Sequence, residues 1–403
     1  MPAADEAMNE LQNKWYNAVV KALGLDVNSF QFFQAQRPLG ATSDELWTLF
    51  DSVPPLSLTN TQVISGHNSF FGNYEAIVLT ILPQGGRQFE EIMGDDMAAW
   101  DVYRKSLKPG DVSAAGGLLA TFKSWADLNL SPSKATKAYA AFKQLQNGIV
   151  PQAIDAVLDD ANLFEGGPTF KETIDALRGA LDHGRDYSVH FDSATESGDV
   201  KHTWAKGEIG GAYEFFTGKA GASWDKLSEK ASKAQVTIEG TIHKVVSMSI
   251  NPGPWYMSAA LNLAYKHSDN TVWPAGQSPT WDDLFSQQGS LQRLAIEIVA
   301  FDGLDITMTS SAAYSKTEQE EIKANAEIGY WPFFKASGEG GSFSKTTFND
   351  AGEMTVTTSV PRGNPAILGV NVLSIGQVIA LQEKQLSLLH LGISSHRRRA
   401  ARG

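Results

Sequence analysis

The sequence predicts an α+β protein, with a helical N-terminal domain followed by a duplicated, antiparallel, β-sandwich-like C-terminal half. Over the first 183 residues, apolar side chains recur at helical spacing. From about residue 184 the period changes to two, which is typical of strands with one buried face. The third observation is a phrase that occurs twice, as GEIGGAYEFFTGKAGASWDK at 207–226 and AEIGYWPFFKASGEGGSFSK at 326–345.

These observations predict three parts. Residues 1–183 form a helical domain, residues 184–386 form a β-rich domain, and residues 387–403 form a basic tail that ends in an arginine-rich run. A chain of 403 residues is long enough for about two domains. The division falls where the hydrophobic period changes from helical spacing to strand alternation.

The first predicted helix is the most regular one. Leu11, Trp15 and Val19 lie on one helical face, and Gly24 is placed to end the helix. A second, strongly apolar helix is predicted to follow Asn68 or Ser69, since the side chain of either residue suits the N-cap position. The spacing therefore predicts two helices that each bury an apolar stripe.

More helices follow before residue 183. Segments 89–107 and 133–148 repeat the amphipathic pattern, and two helices are predicted to begin at Pro151 and Pro168, because proline suits the first helical turn. Segment 111–125, DVSAAGGLLATFKSW, is interpreted as a buried helix, with insertion into a bilayer as the alternative.

The β-rich part contains several strand signals. Residues 236–250 alternate so that their apolar side chains share one face, and residues 294–308 predict a hairpin with its turn at Asp302–Gly303. Segments 353–360 and 367–375 are further predicted strands. The charged stretch 316–326 is interpreted as an exposed helix or a charged loop.

The repeated phrase suggests an internal duplication that covers about 186–260 and 304–375. One antiparallel sheet buries only one face and needs a second layer, which a second copy of the module can supply. On this hypothesis the Phe-Phe pairs that begin at Phe215 and Phe333 are equivalent core anchors.

Composition excludes several classes of protein. The net charge of −12 argues against nucleic acid as a partner, and the absence of cysteine excludes disulfides and thiolate chemistry. No run of 18 apolar residues and no basic, apolar leader is visible in the sequence. We therefore expect a soluble, acidic protein that is cytoplasmic by default, with release without a signal peptide left open, and we expect no cofactor.

The densest polar cluster is the stretch DHGRDYSVHFD at 182–192. Its candidate metal ligands are His183, Asp186 and His190, since imidazole and carboxylate are common ligands of divalent metals. The two histidines are seven residues apart, which fits neither helical nor strand ligand spacing. A solvated domain boundary is the competing interpretation.

Aromatic residues beside prolines and turns are the other candidate site. They could stack on sugars or enter a lipid interface, and packing inside the core is the alternative. The candidates are Trp255, Tyr256, Trp273, Trp281 and Trp331.

A helix-like run at 376–392 precedes the basic tail. Val378 and Leu381 lie near one face of this run. The run is interpreted either as a docking or oligomerisation element or as a helix that packs back on its own domain.

We expect a non-enzymatic binding or membrane-active protein, similar only in layout to pore-forming or insecticidal toxins, whose loop aromatics recognise a membrane surface or a carbohydrate. One alternative is a structural protein that assembles as a homo-oligomer. The other is a metal-dependent enzyme that uses the cluster at 183–192.

Overall fold

The α+β class is confirmed by a computed structural model, in which helices dominate the N-terminal part and the sheet lies mainly in the C-terminal part. The structure describes residues 3–55, 59–60, 68–83, 87–108, 110–145, 148–165, 167–199, 215–217, 221–269, 271–274, 276–325, 329–332 and 343–384. Phe333 and the basic tail lie outside these residues.

Helices are found before, between and after the strands. Numbered in chain order, they are α1 (Ala3–Leu23), α2 (Ser43–Asp51), α3 (Phe70–Thr80), α4 (Arg87–Met93), α5 (Asp96–Ser106), α6 (Asp111–Ala115), α7 (Leu118–Asn129), α8 (Pro132–Leu145), α9 (Ile149–Val157), α10 (Ile174–Leu181), α11 (Ala222–Ser232), α12 (Ser258–Lys266), α13 (Trp281–Phe285), α14 (Lys316–Ala324) and α15 (375–384). Within the described residues, none of these helices is both long and apolar enough to cross a bilayer.

The strands vary in length from two residues to 21 residues. They are β1 (Phe30–Pro38), β2 (Thr59–Asn60), β3 (Leu163–Phe164), β4 (Gly167–Pro168), β5 (Arg185–Asp192), β6 (Phe216–Thr217), β7 (Val236–Ser249), β8 (Arg293–Ser310), β9 (Gly329–Tyr330), β10 (Phe343–Phe348) and β11 (Met354–Ser374).

One large sheet organises the molecule. Its order is β2-β1-β11-β8-β7-β5, and β10 pairs with the first part of β11. The long strands β7, β8 and β11 are antiparallel neighbours, while β1 and β2 run parallel. Strand β1 comes from the part of the sequence predicted to be helical, and it pairs with β11. The predicted division at residue 183 stays a prediction.

The middle of strand β8 separates two hydrophobic cores. Ile298 and Ala300 belong to a cluster with the helices from α2 to α9 and α12, which we call the helix-bundle core. Val299 and Phe301 face a second cluster with α1 and α11, which we call the α1 core. Strands buried on both faces read as continuous apolar runs, and this explains the sequence IVAF at this point.

The apolar side chains of strand β7 change from one face of the sheet to the other near the middle of the strand. Ile242 packs in the α1 core, whereas Val246 packs against the helix-bundle core. The change occurs at a bulge where the pairing of β7 with β5 shifts its register and Lys244 has a φ of 47°. The prediction that all apolar side chains of 236–250 share one face is therefore wrong, because one extra residue in a bulge moves the following side chains to the other face.

The predicted hairpin at Asp302–Gly303 is also wrong. Residues 293–310 form one continuous strand that pairs with β7 on one side and β11 on the other. Gly303 has a φ of 106°, but it serves a bulge inside the strand rather than a turn. The Asp302 carboxylate accepts a hydrogen bond of 2.7 Å from the backbone N–H of Gly363, which ties this bulge to the one in β11.

Two helix predictions have different outcomes. The helix predicted from Pro168 is wrong at its start, because Pro168 lies in the short strand β4 and the helix begins only after the cap Thr173.

The charged stretch after residue 315 does form helix α14. Its N-terminus carries a capping box between Ser315 and Glu318.

The internal duplication is not confirmed. Trp224 and Phe343 are equivalent in the repeated phrase, but Trp224 lies in helix α11 and Phe343 lies in strand β10. The two copies meet directly, since β6 and β9 form a small antiparallel ribbon. Phe215 is fully buried, and its proposed equivalent Phe333 lies outside the described residues.

A half-buried carboxyl group joins α2 to α3. Asp51, the last residue of α2, accepts a hydrogen bond of 2.7 Å from the backbone N–H of Phe71 in the first turn of α3. Burial raises the pKa of Asp51 from 3.8 to about 6, although the Phe71 hydrogen bond opposes this change. The folded state therefore takes up a proton at Asp51 between these two pH values.

This linkage predicts how the substitution Asp51→Asn acts. Because the folded pKa is raised, the free energy of unfolding of the native chain should fall as pH rises from about 4 to about 6. The asparagine keeps an acceptor for the Phe71 N–H and should abolish this fall, which leaves the variant more stable at pH 7 by about 1–3 kcal/mol. Urea unfolding at pH 4, 5, 6 and 7 measures both profiles, with the exposed Asp44→Asn as control. Parallel profiles for the native chain and Asp51→Asn would refute the assignment.

Candidate functional site

A pocket of about 230 Å³ lies between one end of the sheet and helix α15. Segments far apart in the sequence build it, from α2 and α3 to the end of β7, the start of β8 and α15. Its lining residues are Phe50, Phe70, Phe170, Ser249, Ile250, Asn251, Pro252, Tyr256, Leu294, Ala295, Ile296, Val378, Leu381 and Gln382. Most of the lining residues are aromatic or aliphatic, as is usual for small-molecule sites, and polar atoms supply as much of the lining surface as apolar atoms do.

Trp255 supports the aromatic wall of the pocket. Its ring is fully buried and makes edge-to-face contacts with Phe70 (5.4 Å between centroids) and Phe170 (5.8 Å). The indole N–H donates to the carbonyl of Thr169 at 2.6 Å. This buried ring fixes Phe70, Phe170 and its neighbour Tyr256, which all face the pocket.

The loop before Trp255 requires a glycine. A Cβ atom at Gly253 would lie 2.5 Å from the Thr169 carbonyl oxygen, which is far inside contact distance. The backbone N–H of Gly253 donates to the same carbonyl at 3.0 Å. The sequence NPGPW thus brings the loop close enough to place Trp255 behind the pocket and Tyr256 at its edge.

A polar pair lies at the edge of the pocket. The side-chain amide nitrogen of Gln382 lies 3.0 Å from the Tyr256 hydroxyl, and the amide oxygen lies 3.3 Å from it. Burial raises the pKa of Tyr256 to about 12, so the phenol is neutral at physiological pH. The pair joins the loop after β7 to helix α15.

Polar contacts hold helix α15 against α12. Glu383 accepts hydrogen bonds from Asn262, at 2.9 Å, and from Lys266. The hydrogen bond from Lys266 lowers the pKa of Glu383, so this contact persists to low pH. Helix α15 therefore packs back on its own chain, and it brings Val378 and Leu381 to the pocket.

The other aromatic candidates occupy different surroundings. Trp273 is buried and donates to the carbonyl of Ala264, and Trp281 is half-buried and donates to the carbonyl of Tyr265. Trp331 is buried in the α1 core. Of the five candidates, Tyr256 lines the pocket and Trp255 stands behind it.

Trp273 borders a second cavity of about 510 Å³ near α4 and α5. Asp101 lines this cavity, and it accepts hydrogen bonds from the buried Arg104 at 3.0 Å and from Gln277 at 3.0 Å. Burial lowers the pKa of Arg104, and the adjacent Asp101 counteracts that effect. This cavity has one aromatic side chain in its lining, Trp273, whereas the pocket beneath α15 has four.

The structure does not bring the candidate metal ligands together. His183 follows the end of α10, while Asp186 and His190 lie on the outward face of β5. His190 contacts Glu239, and Asp186 contacts His243. Within the described residues no three histidine, aspartate or glutamate side chains form a group able to hold a metal ion.

Asp186 belongs instead to a cluster that the sequence did not predict. We call it the His243 cluster, and it consists of His243, Asp186, Asp305 and Arg362. His243 Nδ1 lies 3.0 Å from Asp186, and its Nε2 lies 3.1 Å from Asp305. Arg362 donates to Asp186 at 3.0 Å.

The ring of His243 lies between two carboxylates and a guanidinium. Each ring nitrogen faces a carboxylate oxygen at hydrogen-bond distance, and the Arg362 guanidinium lies 3.3 Å from Nδ1. The two aspartates lie on β5 and β8, on either side of β7. The cluster therefore joins four neighbouring strands, β5, β7, β8 and β11.

Comparisons with known proteins give no further information about either site. No protein-family model matches the chain, and no curated protein and no solved structure matches it. Conclusions about its function therefore depend on the geometry of its own residues.

The aspartates of the His243 cluster predict an acid-side loss of stability. The pKa of Asp186 is lowered, first by the backbone N–H of Lys244 and then by His243. The pKa of Asp305 is lowered, first by Ser359 and then by His243. A carboxyl group whose pKa is lowered in the folded state stabilises the fold above the unfolded pKa of 3.8, and this stabilisation is lost as pH falls below 3.8.

The double variant Asp186→Asn/Asp305→Asn should therefore be less stable than the native chain at pH 6 and should lose less stability between pH 5 and pH 2.5.

Urea unfolding across this pH range measures that difference. Asp127→Asn is the matched control, because Asp127 is an exposed carboxylate on α7 that pairs with Lys123 one helical turn away. Equal acid-side slopes for the double variant and the native chain would contradict the prediction.

Proposed function

We propose that this protein is a non-enzymatic binding protein, and that the pocket beneath α15 holds a small, mainly apolar ligand. The observation that carries the proposal is a pocket of about 230 Å³ that is lined by aromatic and aliphatic side chains together with the polar residues Ser249, Asn251 and Gln382. Pockets of this composition are the usual sites of small-molecule binding.

The volume of the pocket limits the ligand. An apolar cavity of about 150 Å³ is enough to hold benzene. By that standard, a pocket of about 230 Å³ accommodates roughly nine non-hydrogen atoms. A ligand of this size is expected to bind with a Kd on the order of 0.1–1 mM.

This proposal changes the role of the aromatic residues. Trp255 and Trp273 are buried, so in this conformation they contact protein rather than an external surface. Tyr256 meets the ligand directly, and Trp255 holds it in place. Membrane activity, self-assembly and metal-dependent catalysis stay predictions, and no contact among the described residues favours one of them.

Filling the mouth of the pocket should abolish binding. Leu381 lines the pocket and is 45% exposed, so Leu381→Trp adds volume at the mouth without straining the core. Toluene and phenol should raise the melting temperature of the native chain, because a ligand that binds only the folded state stabilises it. The same compounds should leave the melting temperature of Leu381→Trp unchanged.

Leu128→Trp is the matched control for this experiment. Leu128 lies on α7, does not line the pocket and is 86% exposed, so its variant should respond to ligand as the native chain does. If Leu381→Trp responds as strongly as Leu128→Trp, the ligand binds elsewhere and the proposal fails.

A further inference from the structure

We infer that the pocket beneath α15 selects a small neutral arene that carries a hydroxyl group, and that Tyr256 and Gln382 recognise this hydroxyl. The inference rests on the proposed function, since it assigns the ligand class of the same pocket. Three features of the lining lead to it: the hydrogen-bonding capacity of the polar pair, the absence of charge and the shape of the walls.

Tyr256 and Gln382 have more hydrogen-bond donors and acceptors than their mutual hydrogen bond uses. A tyrosine hydroxyl has one hydrogen to donate and also accepts, while a side-chain amide has two hydrogens and an acceptor oxygen. Within the part of the chain that the structure describes, the Gln382 amide bonds only to the Tyr256 hydroxyl. When the amide N–H donates to the hydroxyl, the phenolic O–H and the amide oxygen are both left for a ligand.

A hydroxyl group matches this pair. It accepts from the Tyr256 O–H and donates to the Gln382 oxygen at the same time, whereas an ether or a ketone can only accept. A ligand without any such group leaves both protein groups as they are, and it loses two hydrogen bonds that a hydroxyl would make. The pair therefore favours hydroxyl compounds over their methyl isosteres.

The lining also selects against charge. None of the described residues that line the pocket is a lysine, arginine, aspartate or glutamate. An ion that leaves water for this pocket would have no counter-charge, and burial of an unpaired charge is strongly unfavourable. The ligand is therefore neutral.

The walls favour a flat ring. Phe50, Phe70, Phe170 and Tyr256 all line the pocket, and Tyr256 meets Phe70 edge to face at 5.4 Å. Another ring placed among them makes edge-to-face or offset contacts that add to simple burial of apolar area. A single arene with one or two small substituents matches both the walls and the volume.

Phenol and toluene form a matched pair of probes, because a hydroxyl replaces a methyl group of similar size. Ligand-observed NMR titration gives a Kd for each compound. The native chain should bind phenol more tightly than toluene. Tyr256→Phe and Gln382→Met should each shift the ratio of the two Kd values towards toluene, by about tenfold in the double variant, because the hydroxyl then enters the pocket without partners.

The outcomes separate this inference from the proposed function. If both compounds bind the native chain and the Kd ratio is unchanged in the double variant, the pocket is a ligand site but the selection by Tyr256 and Gln382 is refuted. If neither compound binds the native chain at millimolar concentration, the proposed function fails together with the inference. Tyr103→Phe, on α5 and outside the pocket lining, is the control, and it should leave the ratio unchanged.

Discussion

The burial of the central strand β8 on both faces is the constraint from which the rest of the structure follows. Between Ile298 and Phe301, successive side chains point alternately into the helix-bundle core and the α1 core. A strand with two apolar faces needs a layer on each side, since an exposed face of this kind would leave a large apolar area in water. The helix-bundle core, in which α10 packs directly on β7 and β8, covers one face, and α1 with α11 covers the other.

This covering is incomplete, and both candidate sites lie where it ends. Beyond Gly303 the outward side chains of β8 become polar, as Asp305, Thr307 and Thr309, because the helix layer no longer covers them. The bulges in β7, β8 and β11 make this change possible, since each one moves the following apolar side chains to the core that is still covered. The His243 cluster forms at that border, and the pocket forms at the opposite end, between the sheet and α15.

The sequence predicted what local patterns can encode. Helical spacing indicated α1, α5 and α8, and strand alternation indicated β7, β8 and β11. The alternation of apolar residues does not reveal a bulge, because a single inserted residue at Lys244 or Gly303 leaves each half of the strand with a regular pattern. The Asp302–Gly303 pair looked like a hairpin turn for the same reason: the positive φ of Gly303 suits a bulge as well as a turn.

The pocket could be predicted only in part. Tyr256 drew attention as a loop aromatic, and Val378 and Leu381 as one face of a helix. Nothing in the sequence relates Gln382 to Tyr256, which is 126 positions away, because their contact depends on how α15 returns to the sheet. The same is true of Asp186, His243 and Asp305, which come together only through the register of three strands.

The pocket affects the stability of the fold as well as the proposed binding of a ligand. An enclosed empty volume of about 230 Å³ would destabilise a core by about 5.5 kcal/mol, at about 24 cal/mol per Å³. Here that cost is reduced because the pocket has a mouth at Leu381 and a polar edge at Tyr256, so water can enter and find hydrogen bonds. Water nevertheless finds no hydrogen-bond partner on the rings of Phe50, Phe70 and Phe170. An apolar molecule that displaces this water makes the dispersion contacts with these rings that the core lacks. The same incomplete packing that weakens the fold at this end of the sheet would therefore supply the driving force for binding of the proposed ligand.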